Sequence, residues 1–486
     1  MSLDLTSFKM LIDGELVEGE GELMQVHNPA TGELIAEYRG ASYEQCERAL
    51  QAAKRAFKTW SFTSLNERAE WMNKLSEACA AKYDDLIDLL AAETGKAYRD
   101  NFNDLGRCWD YFNYYRDEVK RVYDNGIHDY NDHRDCHYTV ERRPIGVVVS
   151  SLAWNVPMIN LGMKLGPIMA TGNTGVLKAS PKAPLTTLKI IETAVEIGLP
   201  AGVINIVAGP NDIAEYLNES EIPSLVTCIG SVPTGLKVQQ QACKNNLKRV
   251  GLELGGNAPC ILFPDANMEE AVNFIATRKI LQTGQSCGCV NRIFVHKDIH
   301  DEFVEKLVAK VKTFHCGWSK EDPNTVGSLI DKNSRDRLIA IAKEAEAQGA
   351  KILTGGKAPQ LEGKLANGAF LEPTVLDGVT DDMRAAKEEL FGPVYSILTW
   401  EDLDDVIERS NSTPFGLASY AFTDSAKMAI TLFERLEFGR VCINNAPIAG
   451  ANMPHTGLKQ SGLGTTFGKE SLEEYYSTKL CSIRAV

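Results

Sequence analysis

The chain has 486 residues, of which 44% are apolar and 24% charged, and its formal net charge is −14. This length exceeds a single compact core and predicts about three lobes with clefts between them. Because no Lys/Arg stripe stands against the acidic balance, we expect no nucleic-acid partner. Met1 to Met10 lack an apolar signal-type stretch, and no run of about 18 uncharged apolar residues occurs, so we expect no membrane association.

The twelve cysteines are irregularly spaced, and Cys287 and Cys289 form their single close pair. Neither zinc ribbons nor redox C-x-x-C motifs use that spacing, and the eight histidines supply no clustered ligands. We therefore expect free thiols in a reducing cytoplasm and no metal site.

From about Gly146 to Gly256, short β-branched runs alternate with amphipathic stretches. Strands separated by helices predict a parallel sheet covered on both faces, because each right-handed crossover needs a helix. This architecture is typical of nucleotide-binding domains. The predicted strands cover 147–149, 175–177, 203–207 and 225–228, and the predicted helices cover 158–169, 185–197, 213–217 and 234–244.

A second alternating block, from about Ala258 to Asn444, predicts a second α/β lobe with helices at 268–280 and 299–311 and strands at 258–263 and 292–295. Residues 122–143 and 475–483 fit neither block and are typical of exposed strands. Since long uncovered strands are edge liabilities, we expect these two to pair with each other and with a partner subunit.

The most informative segment is Gly284-Gln285-Ser286-Cys287-Gly288-Cys289, which follows an apolar helix and precedes a strand. Its glycines leave little side-chain bulk around a thiol. A thiolate there can attack a carbonyl, and a nearby backbone N–H can receive the resulting oxyanion. By itself the segment favours a buried structural cysteine, because free cysteines are among the most buried residues.

A second segment, Leu252-Glu253-Leu254-Gly255-Gly256, sets a carboxylate between two leucines and before a tight turn. An isolated Glu in apolar surroundings is costly unless its pKa rises or it has a task such as deprotonating water. The alternative is a strand-end Glu that is turned to solvent.

A third segment, Leu152-Ala153-Trp154-Asn155-Val156-Pro157, follows the first strand of the parallel block. Ligands of open α/β sheets bind at the carboxyl ends of the strands, and the Asn155 amide is a neutral donor suited to an oxyanion. The alternative is a turn-forming Asn before an X-Pro bond.

In this order, the three segments closely resemble the aldehyde dehydrogenase superfamily. The resemblance extends over nearly the whole chain. It rests on Pro144-x-Gly146-Val147, Trp154-Asn155-x-Pro157, Gly172-Asn173-x-x-x-x-Lys178, Gly230-Ser231, Glu253, Cys287, Glu389-Leu390-Phe391-Gly392-Pro393 and Lys459-Gln460-Ser461-Gly462-x-Gly464.

The resemblance implies an α/β fold with a Rossmann-like cofactor domain, an α/β catalytic domain and a small β oligomerisation arm. The NAD(P)-binding domain would comprise 1–121 and 145–254, the catalytic domain 255–458, and the oligomerisation strands 122–144 and 466–486. The resemblance also implies a homodimer or homotetramer.

The implied chemistry is oxidation through an acyl-enzyme. Cys287 adds to an aldehyde, the Asn155 amide and the Cys287 N–H hold the oxyanion, and hydride leaves for the nicotinamide. Water activated by Glu253 then hydrolyses the thioester, and Lys164 completes the implied catalytic set. Relatives that acylate coenzyme A generally lack the glutamate, so a free acid is favoured. A coenzyme A- or phosphate-dependent relative and a non-catalytic use of the fold are the alternatives.

The cofactor would be NAD or NADP, although no G-x-G-x-x-G follows a strand of the parallel block. Gly230 and Ser231 would begin a helix whose N-terminus suits the pyrophosphate. Most members carry a Glu three residues after the lysine, whereas this chain has Pro181. Because proline cannot accept a hydrogen bond or repel a 2′-phosphate, we expect NADP to serve at least comparably to NAD. The implied cofactor-binding residues are Leu152, Trp154, Lys178, Ser180, Gly230, Ser231, Glu389 and Phe391.

The substrate pocket departs from relatives with apolar substrates, where aromatic residues often stand at the positions of Val156, Met163, Ala446 and Ala449. His455 replaces the usual Phe and looks like the corresponding His of lactaldehyde dehydrogenases, where it faces a substrate hydroxyl. We therefore expect a polar aldehyde carrying a hydroxyl or a carboxylate. No arginine is fixed by motif in this region. The implied pocket residues are Val156, Met163, Ser286 and His455.

Overall fold

The computed structural model describes residues 5–122, 136–445 and 450–484. Ala446, Ala449 and residues 123–135 of the predicted strand 122–143 therefore lie outside the described residues. Within the described ranges, no helix is long and apolar enough to cross a membrane.

Several helices begin where a side chain accepts a hydrogen bond from one of their free N–H groups. Ser42 and Gln45 form a capping box, in which the Ser42 hydroxyl accepts the Gln45 N–H at 3.2 Å and the Gln45 side chain accepts the Ser42 N–H at 3.1 Å. Pro157 opens a helix at its first turn, where no N–H is needed. The helices are α1 Tyr43–Trp60, α2 Leu65–Ala80, α3 Tyr83–Thr94, α4 Tyr98–Val122, α5 Pro157–Ala170, α6 Leu185–Ile190, α7 Glu192–Glu196, α8 Asn211–Glu219, α9 Val232–Ala242, α10 Met268–Ile280, α11 His300–Val311, α12 Lys332–Ala347, α13 Arg384–Lys387, α14 Leu403–Asn411 and α15 Ala426–Arg435.

The strands fall into two large sheets and several short pairs. They are β1 Met10–Ile12, β2 Glu15–Val17, β3 Leu23–His27, β4 Leu34–Arg39, β5 Cys136–Pro144, β6 Val147–Ser151, β7 Thr174–Lys178, β8 Ile204–Val207, β9 Pro223–Ile229, β10 Arg249–Glu253, β11 Ala258–Leu262, β12 Val290–His296, β13 His315–Cys316, β14 Thr325–Val326, β15 Lys351–Thr354, β16 Thr374–Asp377, β17 Val394–Trp400, β18 Phe415–Gly416, β19 Ser419–Phe422, β20 Val441–Ile443, β21 His455–Thr456, β22 Leu458–Lys459, β23 Gly462–Leu463, β24 Thr465–Thr466 and β25 Tyr476–Arg484.

The first large sheet has the order β2-β1-β8-β7-β6-β9-β10-β23. Its strands β8, β7, β6, β9 and β10 are parallel, which confirms the predicted parallel sheet. Chain order runs outward from β6 through β7 to β8 and then resumes on the other side with β9. The segments after β6 and β9 therefore leave a crevice between them, where open α/β sheets bind ligands. The predicted helix 185–197 is instead two short helices, α6 and α7, on either side of Ile191.

The second large sheet has the order β15-β16-β17-β12-β11-β19-β20 and confirms the predicted second lobe. Neighbouring strands are parallel except at the β15–β16 edge. Its apolar residues form cores separate from the one that joins the first sheet to helices α1 to α5. Two lobes with their own cores therefore face one another across a cleft.

A two-stranded ribbon projects from this body. Strands β5 and β25 pair antiparallel over nine residues, from Tyr476 opposite Pro144 to Arg484 opposite Cys136. The expectation that the two segments pair with each other is confirmed. Their starts differ from the predicted ones, because α4 reaches Val122 and the C-terminal strand begins at Tyr476 rather than at residue 466.

Helices α4 and α5 pack with almost no space between their backbones. A Cβ atom added to Gly162 would lie 2.1 Å from the Cys108 carbonyl oxygen, and one added to Gly166 would lie 2.8 Å from the Tyr115 ring. Only glycine permits this approach, since atoms cannot overlap at such distances. The packing fixes the position of α5, which carries Lys164 toward the end of β10.

Candidate active site

A cavity of about 620 Å³ opens at the crevice of the first sheet and extends to the second lobe. It brings together most of the residues that the sequence indicates, while Leu152, Lys164, Lys178 and Ser180 lie outside its wall. The predicted residues that line it are Trp154, Asn155, Val156, Met163, Gly230, Ser231, Glu253, Ser286, Cys287, Glu389, Phe391 and His455.

Cys287 lies in the loop between α10 and β12, as its position before a strand predicts. The helical turn Leu281–Gly284 precedes it, and within this turn Gln282 and Thr283 have φ values of 54° and 56°. A left-handed backbone at such residues costs about 1–3 kcal/mol and must be held by its surroundings. The Asp100 carboxylate of α4 supplies one such hold, because it accepts the Gln282 N–H at 2.8 Å.

The glycine pair after Glu253 allows the two chemistry-bearing segments to meet. A Cβ atom added to Gly256 would lie 2.3 Å from the Cys287 carbonyl oxygen, and one added to Gly255 would lie 2.4 Å from a Glu389 carboxylate oxygen. Larger residues would therefore push the nucleophile loop and Glu389 away from the end of β10. The turn predicted from the two glycines is therefore also where the Cys287 loop and Glu389 pack against the end of β10.

Asn155 is 9% exposed and is held from both sides. Its amide donates to the Gln285 carbonyl at 3.1 Å, and its own carbonyl accepts from Lys96 at 2.9 Å. Lys96 in turn forms a buried ion pair with Asp104 at 3.0 Å. The Asn155 amide therefore lies beside the loop of Cys287 and has a second N–H to offer to an oxyanion.

Glu253 ends β10, and its carboxylate is not isolated. Lys164 forms an ion pair with it, and the Thr466 hydroxyl donates to the same oxygen. Burial raises the pKa of Glu253, but the Lys164 charge and these hydrogen bonds outweigh burial and hold the pKa below its usual value. The site thus contains an ionised carboxylate, whereas the sequence alone indicated an unpaired one.

The Cys287 thiol is protonated at neutral pH in this arrangement. Its pKa is raised to about 11, mainly by burial and also by the carboxylates of Glu389 and Glu253, and the guanidinium groups of Arg440 and Arg278 oppose this shift. Because the thiolate is the nucleophile, the cysteine needs a base to become reactive. The ionised Glu253 lines the same cavity and can serve as that base.

His455 lies on the short strand β21, where it pairs with Thr466 of β24. Its pKa is lowered to about 4, mainly by burial and also by the Arg440 charge, and Glu253 opposes this shift. The imidazole is therefore neutral at pH 7. A neutral imidazole can donate one hydrogen bond and accept another from a polar ligand.

The cofactor side of the cavity has the features that a dinucleotide requires. Ser231 caps the N-terminus of α9 by accepting the Thr234 N–H at 3.4 Å, so the positive end of that helix faces the crevice. Phe391 packs edge-on against Trp154 with their centroids 5.6 Å apart. The Glu389 carboxylate accepts the Gly256 N–H at 2.9 Å, and burial raises its pKa to about 7.

Lys178 ends β7 behind this wall, and its amine is almost fully buried. Burial lowers its pKa to about 8, and the charge of Asp212 opposes that shift. The amine donates to the Ala179 carbonyl at 3.3 Å and forms no ion pair within the described ranges. Ser180 is likewise buried, and the Leu152 N–H donates to the Lys178 carbonyl at 3.0 Å. These residues fit a nicotinamide dinucleotide, whose phosphates and ribose need such donors.

Three side chains that the motifs did not mark also belong to this site. Thr466 contacts Glu253, and Arg278 and Arg440 line the cavity beside Cys287. Arg440 and Thr466 are brought in by folding from distant parts of the chain, and Arg278, nine residues before Cys287, belongs to no motif that marks it. In the part of the chain that the structure describes, no group of three His, Cys, Asp or Glu side chains could hold a metal ion.

The fold and the cavity define an oxidoreductase-type protein with a dinucleotide crevice and a thiol at its inner wall. The model of the family described as "Aldehyde dehydrogenase family" matches residues 16–481. The chain belongs to the aldehyde dehydrogenase family and is an NAD(P)-dependent enzyme of that family.

Named relatives and solved structures agree with this assignment. The chain is 34% identical to the D-glyceraldehyde dehydrogenase (NADP(+)) of Picrophilus torridus, covering 97% of this chain and 95% of that protein. It is 35% identical to the 3-sulfolactaldehyde dehydrogenase of Pseudomonas putida, covering 98% and 96%. The crystal structure of lactaldehyde dehydrogenase from Escherichia coli superposes with a TM-score of 0.93 at 32% identity, covering 98% of this chain and 99% of the other.

The high pKa of the Cys287 thiol makes its alkylation strongly pH-dependent. With a pKa of about 11, the thiolate fraction rises about tenfold per unit between about pH 7 and pH 9. We expect the rate of Cys287 alkylation by iodoacetamide to rise equally, measured by peptide mass spectrometry with the exposed Cys243 as internal reference. Glu389→Gln should increase the rate, since Glu389 raises that pKa. A rate that levels off below about pH 8 would contradict the assignment of a neutral resting thiol.

Proposed function

We propose that this enzyme oxidises small polar aldehydes to free carboxylic acids, with Cys287 as nucleophile and Glu253 as base. The observation that carries the proposal is the ionised Glu253, held by Lys164 and Thr466 in the same cavity as a protonated thiol. The Cys287 thiol must lose its proton to react, and the Glu253 carboxylate can accept that proton.

The first half of the proposed reaction forms a bond between sulfur and carbon. Glu253 takes the thiol proton, and the Cys287 thiolate attacks the aldehyde carbon. The Asn155 amide and the Cys287 N–H then donate hydrogen bonds to the carbonyl oxygen, which becomes negative. When it is bound, the nicotinamide supplies the acceptor for hydride. A thioester on Cys287 results.

The second half releases the acid. Glu253, having returned its first proton to solvent, deprotonates a water molecule that attacks the thioester carbon and expels the Cys287 sulfur. Lys164 and the Thr466 hydroxyl keep the carboxylate ionised for this step. A base positioned for water favours hydrolysis over transfer of the acyl group to coenzyme A.

Substitutions of the two groups should distinguish the role of Cys287 as nucleophile from that of Glu253, which acts as base in both halves. Cys287→Ala should abolish the formation of reduced nicotinamide. Glu253→Gln should lower steady-state turnover about a hundredfold or more, because a positioned base contributes at least that factor. Hydroxylamine, which attacks thioesters without a base, should restore part of the Glu253→Gln turnover. Stopped-flow absorbance of reduced nicotinamide measures both effects.

The controls for this experiment distinguish the alternatives. Glu33→Gln changes an exposed carboxylate and should leave the turnover as in the unaltered enzyme. Product analysis with coenzyme A or phosphate should still give the free acid. An acyl-coenzyme A or acyl phosphate product would overturn the hydrolytic assignment, and full activity of Cys287→Ala would overturn the nucleophile.

For the cofactor, we propose that NADP is used at least as well as NAD. Pro181 offers no carboxylate to repel a 2′-phosphate, and the nearby Lys178 amine forms no ion pair among the described residues. The relative from Picrophilus torridus is named as an NADP(+) enzyme. These observations favour a ribose site that tolerates added negative charge.

A single substitution tests this preference. Pro181→Glu restores a carboxylate beside Lys178 and should move the ratio of kcat/KM for NADP over NAD toward NAD by about tenfold. Pro181→Gln is the matched neutral control and should move it less. If the unaltered enzyme already prefers NAD strongly, the proposed role of Pro181 is wrong.

The polar character of the substrate is supported by His455. Its neutral imidazole lines the cavity and can bond to a hydroxyl next to the reacting carbon. D-Glyceraldehyde and 3-sulfolactaldehyde, the substrates for which two relatives are named, both carry such a hydroxyl. If His455→Phe left the preference for a hydroxyaldehyde over propanal unchanged, His455 would have no part in recognition.

We further propose that the ribbon of β5 and β25 joins this chain to a second copy in a homodimer or homotetramer. A two-stranded ribbon is only marginally stable alone. Leu480 and Ile483, on opposite faces of β25, are 65% and 70% exposed, which is a cost that a partner would remove. Among the described residues, the ribbon also has an unpaired edge on each strand.

Changes on the ribbon should alter the molar mass in solution. Leu480→Lys with Ile483→Lys should lower the mass measured by light scattering toward that of one chain. Leu247→Lys is a matched control, since Leu247 is 95% exposed on a different surface. An unaltered protein with the mass of a single chain would contradict the proposal.

We also propose that the enzyme works in a reducing cytoplasm. All twelve cysteines are free thiols in the structure, as proteins of reducing compartments usually have. Thiol titration of the native purified protein in denaturant should count twelve, and a smaller count that a reductant restores would argue for an oxidising compartment.

A further inference from the structure

Two guanidinium groups converge on the loop of the nucleophile. Arg278 lies in the last turn of α10, Arg440 immediately precedes β20, and both line the cavity together with Cys287 and His455. A Cβ atom added to Gly288 would lie 2.7 Å from Arg440 Nη2 and 3.7 Å from Arg278 Nη2. Both cations therefore lie next to the residue that follows Cys287.

Neither cation has a carboxylate partner among the described residues. The Nε atoms of Arg278 and Arg440 are buried without a hydrogen-bond partner there. Arg440 Nη2 donates to the Tyr420 hydroxyl at 3.3 Å, and that hydroxyl donates to the Gly288 carbonyl at 2.6 Å. Neutral groups thus orient Arg440 and leave its charge uncompensated. By contrast, Arg337 lines the same cavity but is paired with Glu388 at 3.2 Å.

The nearby acids do not supply the missing charge. Glu253 is already paired with Lys164, and the Glu389 carboxylate accepts the Gly256 N–H on the cofactor side. Both side chains are half-buried, and a cation that loses part of its hydration without gaining a counter-ion is costly, so this wall favours the arrival of an anion. Guanidinium groups hold planar carboxylates well, because their parallel N–H groups match both oxygens.

We infer that Arg278 and Arg440 bind a carboxylate at the far end of the aldehyde substrate while its carbonyl carbon meets Cys287. This inference rests on the proposed function and narrows its substrate class from polar aldehydes to short aldehyde acids. The two arginines determine specificity, and the bond-forming chemistry stays with Cys287 and Glu253.

A binding experiment on the unaltered enzyme needs no turnover. Succinate should slow the alkylation of Cys287 in the protein without cofactor, and succinamide, its neutral counterpart, should do so far less. Equal protection by the two compounds would overturn the inference, whatever the outcome of the activity assays. A failure to oxidise any aldehyde would instead contradict the proposed function.

Kinetics then assign the effect to the two side chains. Arg278→Gln and Arg440→Gln should each lower the ratio of kcat/KM for 4-oxobutanoate over butanal by about tenfold or more, mainly through KM, since a charge-assisted hydrogen bond contributes that factor. Arg440→Lys keeps the charge and should recover part of the ratio. Arg48→Gln changes an exposed arginine paired with Glu15 and should leave the ratio as it is. If both aldehydes lose activity by the same factor in the two Gln variants, the arginines have only a structural role.

Discussion

The contact on which this site depends is the ion pair between Lys164 and Glu253. It joins α5 to the end of β10, and the hydroxyl of Thr466 adds β24 to the same oxygen. The ion pair can form because Gly162 and Gly166 let α5 lie directly against α4, which fixes the position of Lys164. Without the lysine, burial would raise the pKa of Glu253, and the cavity would hold a neutral acid next to a neutral thiol.

The surroundings of Cys287 have the opposite effect, because they stabilise the neutral form of the side chain rather than the charged one. Burial of Cys287 and two nearby carboxylates disfavour the thiolate, and the charges of two arginines favour it. A resting thiol of this kind is poorly reactive toward adventitious electrophiles. In the proposed mechanism it becomes a nucleophile when Glu253 takes its proton, so its reactivity depends on that carboxylate rather than on a low thiol pKa.

Sequence patterns predict the elements here because hydrophobic runs decide them locally. The helix over 268–280 has those bounds in the structure, and the predicted strands of the first sheet lie within the observed ones except that 203–207 begins one residue early. The residues of the crevice could be predicted for a related reason, since parallel strands bring their carboxyl ends to one edge. Ile191 interrupts a helix that periodicity alone would continue, and Thr466 reaches Glu253 only through the β21–β24 hairpin. Such contacts depend on the packed chain rather than on any local pattern.

The distribution of charge in the cavity follows from which cations are compensated. Lys164 is neutralised by Glu253 and Arg337 by Glu388, whereas Arg278 and Arg440 have no ion pair among the described residues. In the same described part of the chain, Arg107 also lines the cavity with neutral partners only, the Asn103 side chain and the Tyr111 hydroxyl. His455 is close enough to be influenced by the charges of both Arg440 and Glu253, and because it is neutral it cancels neither. In the inferred binding mode, a substrate with a negative end places its charge at Arg278 and Arg440. Its aldehyde end is then left for the thiol of Cys287, beside whose loop the Asn155 amide can donate to the carbonyl oxygen.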